Sequence, residues 1–372
     1  MKNRLKKRKE NEPMTQKSNI CAGRRIGIGL KIGILYILCS VCPAVFIFGC
    51  NKSVQATWSQ PEAVSLNELV PEATRIVQEG LADPNPYIRV NAIEVVATTK
   101  QTKLMPEVRQ LLKDDIVPVR FAAVLAVGDS EYSLAESSIR QLLKDEDENV
   151  AIAAAYALSK LGFPENFEIL HKAITSKDQT VRANAALLLG KSGDKSPETR
   201  KSLWLTLRRK DSDDRVILQT AEYIAMLGDE RVYPKLWTML ISAYADVRVI
   251  GIRAMGALGT VQSKNALITM LDDDILEVRL AAAEQLGMLG DTTGEPVVLD
   301  IFTKNLTAGL DKEAQQRINV FAALAIGRIG TPSLTRFLPQ LLNDESKSVR
   351  IAAAKAVLQW IMQNRTAEKT ST

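Results

Sequence analysis

DESKSVRIAAA, residues 344–354, decides the fold, because the chain writes this stretch nine times. DDILEVRLAAA at 273–283 is a near copy, and DPNPYIRVNA at 83–92 is another. Anchored on the aliphatic residue before the Arg slot, the copies fall at Ile88, Val119, Val150, Val181, Val216, Val247, Val278, Ile318 and Val349. Successive anchors lie 31, 31, 31, 35, 31, 31, 40 and 31 residues apart. A period this constant marks an array in which each unit buries its apolar face by stacking on its neighbours. Two insertions, of four and nine residues, stretch the period without erasing the pattern.

Four residues after the anchor stands a small-residue column: Ala92, Ala123, Ala154, Ala185, Thr220, Gly251, Ala282, Ala322 and Ala353. Eight after it, every copy is aliphatic or Met, from Val96 to Val357. Positions 0, +4 and +8 form one stripe at a 3.6-residue period, which predicts a helix with a buried face. Twelve after the anchor, Gly162, Gly193, Gly228, Gly259, Gly290 or Gly330 is placed to accept a left-handed helix stop. The other half of each unit has its own apolar period, as at 104–113, 135–144 and 334–342. Each unit therefore reads as two antiparallel helices joined by an Asp-bearing turn.

This unit resembles the HEAT repeat, particularly the short variant named for the phycobilisome lyases. The likeness spans residues 68–363, and it implies an all-α, α/α superhelical solenoid of about nine helical hairpins. With helix layers ~8–10 Å apart, an open stack of this kind makes a curved rod of roughly 80–90 Å. The motif of Asp followed by Arg six residues later is intact at Asp83/Arg89, Asp114/Arg120, Asp273/Arg279 and Asp344/Arg350. Ala151, Ile217 and Asn319 fill the Arg slot in three copies, whereas Ser176 and Ser242 replace Asp in two that keep Arg182 and Arg248. The resemblance implies a ladder between neighbouring repeats, here interrupted.

Residues 1–49 read as a leader. Residues 1–31 hold ten Lys or Arg against two Glu, a net +8, and residues 32–49 carry no charge. The whole chain is +5, so the part from Cys50 onward is +5 − 8 = −3. The basic balance thus belongs to the leader, and no nucleic-acid partner is expected of the repeats. A basic start before an apolar run is the pattern of an export signal. Its end, Ile47, Phe48, Gly49 and Cys50, resembles a bacterial lipobox with Cys50 as the lipidated residue. An uncleaved membrane span is the alternative, and both readings put the repeats outside the cytoplasm, tethered to the cell envelope. All four cysteines, Cys21, Cys39, Cys42 and Cys50, lie in this region, which suits an oxidising compartment. Residues 50–67 read as a tether and 364–372 as a disordered tail.

No constellation of catalytic or metal-ligating residues stands out. The single histidine, His171, reads as a surface or packing residue, and the run Asp272, Asp273, Asp274 lacks the spacing of a calcium loop. No cofactor is expected, and the chain is expected to be no enzyme. A helix bearing Arg200, Lys201, Arg208, Arg209 and Lys210 around Trp204 reads either as an anionic-partner patch or as a solvated outer face, the latter preferred because Asp211, Asp213 and Asp214 follow.

What remains is a surface. Positions +3, +6 and +10 of the second helices lie away from the stripe, and their occupants vary from copy to copy. Apolar ones are Leu125, Tyr156, Leu187, Met226, Ile250, Met288, Phe321 and Leu324. If second helices line the concave side, as the resemblance implies, these form a groove for a protein partner; the alternative is that long apolar side chains there thicken the core. The expected function is a membrane-tethered scaffold gripping a protein through that face. The alternative is an accessory subunit that holds the substrate of a modifying enzyme, as lyase subunits do.

Overall fold

The computed structural model describes residues 65–370, with side chains through residue 363. The leader, the tether up to residue 64 and Cys50 lie outside the described residues. Regular structure among the described residues is helical throughout. The nine anchor stripes fall on Pro86–Thr98, Val117–Asp129, Glu148–Lys160, Gln179–Ser192, Asp214–Met226, Ala245–Leu258, Leu276–Met288, Lys312–Ile329 and Lys347–Thr370. These are the inner helices. Shorter outer elements alternate with them, such as Met105–Gln110 between the 3₁₀ turns Thr102–Leu104 and Leu111–Lys113.

Local chemistry accounts for the boundaries. Side chains of Asn85, Asp147, Asp178, Asp213 and Asp311 accept first-turn N–H groups of the inner helices that follow them. All six glycines at +12 take positive φ, from 65° at Gly259 to 98° at Gly162. Three copies lack that Gly, and in the first two Lys100 and Glu131 are forced to φ 53° and 47°. The last copy has Ile361 at +12 and no Gly or Pro from 347 to 370, so its helix runs to Thr370, through the expected disordered tail. At the other end the first outer helix, Leu66–Leu81, starts inside the expected tether.

The +4 column is buried in every copy. Its smallest member shows why: a Cβ on Gly251 would stand 2.8 Å from the Cβ of Met239 on the outer helix Tyr233–Leu240. Small residues here let the helix pairs close. The second insertion becomes a run of turns over 304–310 and an inner helix that begins six residues before its anchor, so the Asp turn disappears into helix.

The Asp–Arg motif works across hairpins. Each guanidinium donates back to the main-chain carbonyl six residues earlier, Arg89 to Asp83 at 2.8 Å, Arg120 to Asp114 at 2.9 Å and Arg350 to Asp344 at 2.7 Å. Any residue supplies a carbonyl, so Arg182 and Arg248 reach Ser176 and Ser242 equally well, at 2.7 and 3.0 Å. Arg89, Arg120 and Arg248 also cross to the Asp slot of the next hairpin, 25 residues on, bonding Asp114, Asp145 and Asp273 at 2.8–3.0 Å. Arg182 approaches Asp211 at 3.6 Å, and Asn319 donates to Asp344 at 3.3 Å. The slot carboxylate has a second task, accepting the N–H two residues ahead, as Asp114 does from Ile116. Ser176 and Ser242 perform that task alone. They stand where the preceding hairpin offers Ala151 and Ile217, so a missing donor faces a missing acceptor. Arg279 breaks the rule: its next slot is Glu313 within the lengthened helix, and its described partners are the carbonyls of Asp273 and Asp274.

The two ends of the array meet, which corrects the expectation of an open rod. The last inner helix packs on both helices of the first hairpin. Ile351 lies against Gly80, where an added Cβ would stand 3.0 Å from the Ile351 Cδ1. Lys347 Nζ bonds Asp83 Oδ2 at 2.6 Å, and Lys355 Nζ bonds Glu94 Oε1 at 2.9 Å, across 264 and 261 residues of sequence. Asp83 is the one slot with no hairpin before it in sequence. Lys347 supplies the cation that Arg supplies elsewhere, and the hairpins form a closed circuit.

Candidate partner-binding surface

Closure sorts the eight predicted groove residues by register. Leu125, Tyr156, Leu187 and Leu324 occupy +6, and all are buried, Tyr156 to 1%. An open rod would leave +6 on a concave surface, whereas a circuit turns it inward. The Tyr156 ring lies beside Gly128 of the preceding inner helix, and its hydroxyl donates to Asp129 at 2.6 Å. Burial, reinforced by that carboxylate, pushes the phenol well above its ordinary range. Ile250 and Phe321, at +3, are half-buried. Met226 and Met288, at +10, remain 39% and 41% exposed. Among these eight, accessible apolar surface therefore survives at +3 and +10, along the margins of the interior.

The same +6 column carries charge in the other hairpins: Glu94, Glu222, Arg253, Glu284 and Lys355. Glu94 pairs with Lys355 at 2.9 Å, and Glu222 with Arg253 at 3.2 Å. Glu284 is 5% exposed, and burial pushes its carboxyl up against the pull of Lys355 and Arg328. Glu94 and Arg253 also act on it, so Glu284 senses side chains of four other inner helices. These positions thus face one shared interior. Around the circuit, hairpins two to four give it Leu125, Tyr156 and Leu187, while hairpins five to seven, nine and one give it charge. The +6 column exposes Glu222, Glu284 and Lys355 to a reader of the sequence, provided charged and apolar occupants are tallied together.

The remaining singled-out residues have local roles. His171 Nε2 sits 3.4 Å from Thr199 Oγ1, and its ring meets Phe167 edge-on at 5.2 Å. Asp273 and Asp274 both accept Arg248, and among the described residues no cluster of three His, Cys, Asp or Glu is arranged to hold a metal ion. No described helix is long and apolar enough to cross a membrane.

A model of HEAT repeats matches residues 74–140, 135–225 and 239–320, well over half of the chain. The phycocyanobilin lyase subunit alpha of a Picosynechococcus species is 28% identical over 120 residues, 32% of this chain and 45% of the relative. The chain thus spans about half the length of that curated relative. Among solved structures, the complex of CpcE and CpcF of phycocyanin lyase from Nostoc sp. PCC7120 is similar at 19% identity and TM-score 0.38, covering 68% of this chain and 94% of that one. Human deoxyhypusine hydroxylase is similar at 17% identity and TM-score 0.34, covering 72% and 99%. The lyase-subunit match corrects one expectation: a relative that is part of an enzyme overturns the reading of a chain with no enzymatic role.

Proposed function

The chain belongs to the HEAT-repeat family, and from that premise we propose that it is a subunit of a modifying enzyme, supplying the surface that holds a protein substrate. One observation carries this reading. Where each inner helix meets an outer helix, at +4, the hairpins are nearly uniform, yet at the interior-facing +6 they differ sharply, Leu, Tyr, Glu, Arg and Lys in turn. Uniformity serves packing, whereas variety at +6 makes the interior differ from hairpin to hairpin and leaves partner contact to the accessible residues along its margins. Met226, Ile250, Met288 and Phe321 border that interior and offer accessible apolar contact. The likeness to a lyase subunit favours a place beside a catalytic chain over a free-standing scaffold. In this reading residues 1–49 act as a leader, Cys50 carries the lipid, and the repeats work in the cell envelope outside the cytoplasm.

Crosslinking the native protein in its envelope fraction tests the whole. We expect a bound chain whose activity on a protein substrate falls at least tenfold when this chain is deleted. The mass of the same purified protein should begin at a lipidated Cys50. Bound chains whose activities are unaffected by the deletion sink the subunit reading, and an unmodified N-terminus at Met1 sinks the lipid anchor.

A further inference from the structure

A cationic cavity opens between the fifth and sixth hairpins, away from the shared interior. The outer helix Pro197–Arg208 stacks Arg200, Trp204 and Arg208 on one side at four-residue spacing, with Lys201 beside them. Lys195 approaches from the loop before it and Arg231 from the 3₁₀ turn Glu230–Val232. With Pro197 these line an open, solvent-facing concavity of about 620 Å³. No acidic side chain is among the described residues lining it. The Asp residues expected to neutralise this helix do so only at its end, where Arg209 bonds Asp211 at 2.8 Å.

The cavity is also held in shape. Asp229, 4% exposed, accepts the Trp204 indole N–H at 3.0 Å, binds Arg231 and lies 3.6 Å from Arg200. The Arg208 and Arg231 guanidiniums sit 5.0 and 5.4 Å from the Trp204 ring centre. One buried carboxylate and one ring thus aim three guanidiniums that would otherwise move freely. Five cations against one carboxylate leave a local +4, while the chain from Cys50 onward is −3. In water each close pair of these cations repels by only about 1 kcal/mol, and a bound counter-charge relieves all of these repulsions together.

We propose that this cavity binds a compact polyanion, a small molecule carrying two or more linked phosphoryl groups. The arginine forks match phosphoryl oxygens in pairs. The charge density separates this ligand from a carboxylate pair, which brings about two charges where a tri-phosphoryl group brings about four in the same volume. The walls are of a size for a small ligand.

Titration calorimetry on the full-length chain in detergent tests the assignment, with inorganic tripolyphosphate as the probe. One saturable site per chain is expected, weakening at least tenfold between 50 and 500 mM salt, as screening of exposed cations requires. Lys201→Glu and Arg208→Glu, both at exposed side chains, should each weaken binding at least tenfold with unchanged melting. Arg209→Glu, outside the cavity, should bind as the wild type does. An Asp/Glu-rich peptide of equal charge serves as the competing probe. Tighter binding of that peptide, no saturable site, or equal affinity in Lys201→Glu and the wild type each overturns the proposal.

Discussion

Arg120 shows what one side chain contributes here. It is 7% exposed, forks onto both oxygens of Asp145 and donates to the carbonyls of Asp114 and Asp115. Removing one partner of such a buried pair costs about 3–5 kcal/mol, whereas a half-exposed pair such as Arg209 with Asp211 contributes about 0–1. Arg120→Ala should therefore lower the denaturation free energy by several times the loss in Arg209→Ala, read by urea melts of the two variants. Arg279, equally intact in sequence, should fall between them because its acceptors are carbonyls alone. At this scale the motif was legible in the sequence but its partners were only half so. The pairing of Ala151 with Ser176 and of Ile217 with Ser242, each 25 residues apart, is written in the chain. It becomes visible only once the guanidinium is known to reach the next hairpin.

The helical hairpin was the most legible element, because the stripe at 0, +4 and +8 recurs in every copy and the Gly at +12 stops most of them. The outer elements were less so, since their short helices break into 3₁₀ turns that no periodicity announces. The rung between the third and fourth hairpins tests what links one element to the next. Ala151→Arg alone adds a buried cation without a counter-charge, and Ser176→Asp alone adds a carboxylate without a donor. Together they should rebuild the rung that Arg120 and Asp145 make one hairpin earlier. A double-mutant cycle on thermal or urea unfolding should return a favourable coupling of about 1–3 kcal/mol. Additive effects of the two substitutions would show that the rung does not form there.

Closure was not legible, and the reason is physical. Contacts such as Lys347 with Asp83 join residues 264 apart, and nothing in a local repeat records the small rotation that each hairpin adds. Burial raises the Asp83 carboxyl, yet the Lys347 ammonium, the Asn85 N–H and Arg89 outweigh it and hold it below the usual carboxylate range. A depressed carboxyl lends stability that is present above about pH 4 and lost as the pH falls below it. X-ray scattering should accordingly show the wild type expanding on acidification through that range, with Asp83→Asn already expanded at pH 7 and lacking the step. Gly80→Leu, driven against Ala92 and Ile351, should expand the molecule at every pH while the helical circular dichroism persists. Identical scattering of all three proteins at pH 7 would show that the ends do not hold one another.

A stack with free ends can gain or lose a hairpin and remain a stack, which is how repeat proteins ordinarily change length between lineages. This one has no such freedom. Nine hairpins complete the turn at about 40° each, and an eight- or ten-hairpin descendant would have to re-angle every interface at once to bring a Lys back to an Asp. Unequal recombination, the usual source of new repeats, is therefore closed to this gene except by way of an opened intermediate. Variation is left to the lengths of single hairpins, and the insertions before Pro197 and before Lys312 are both of that kind.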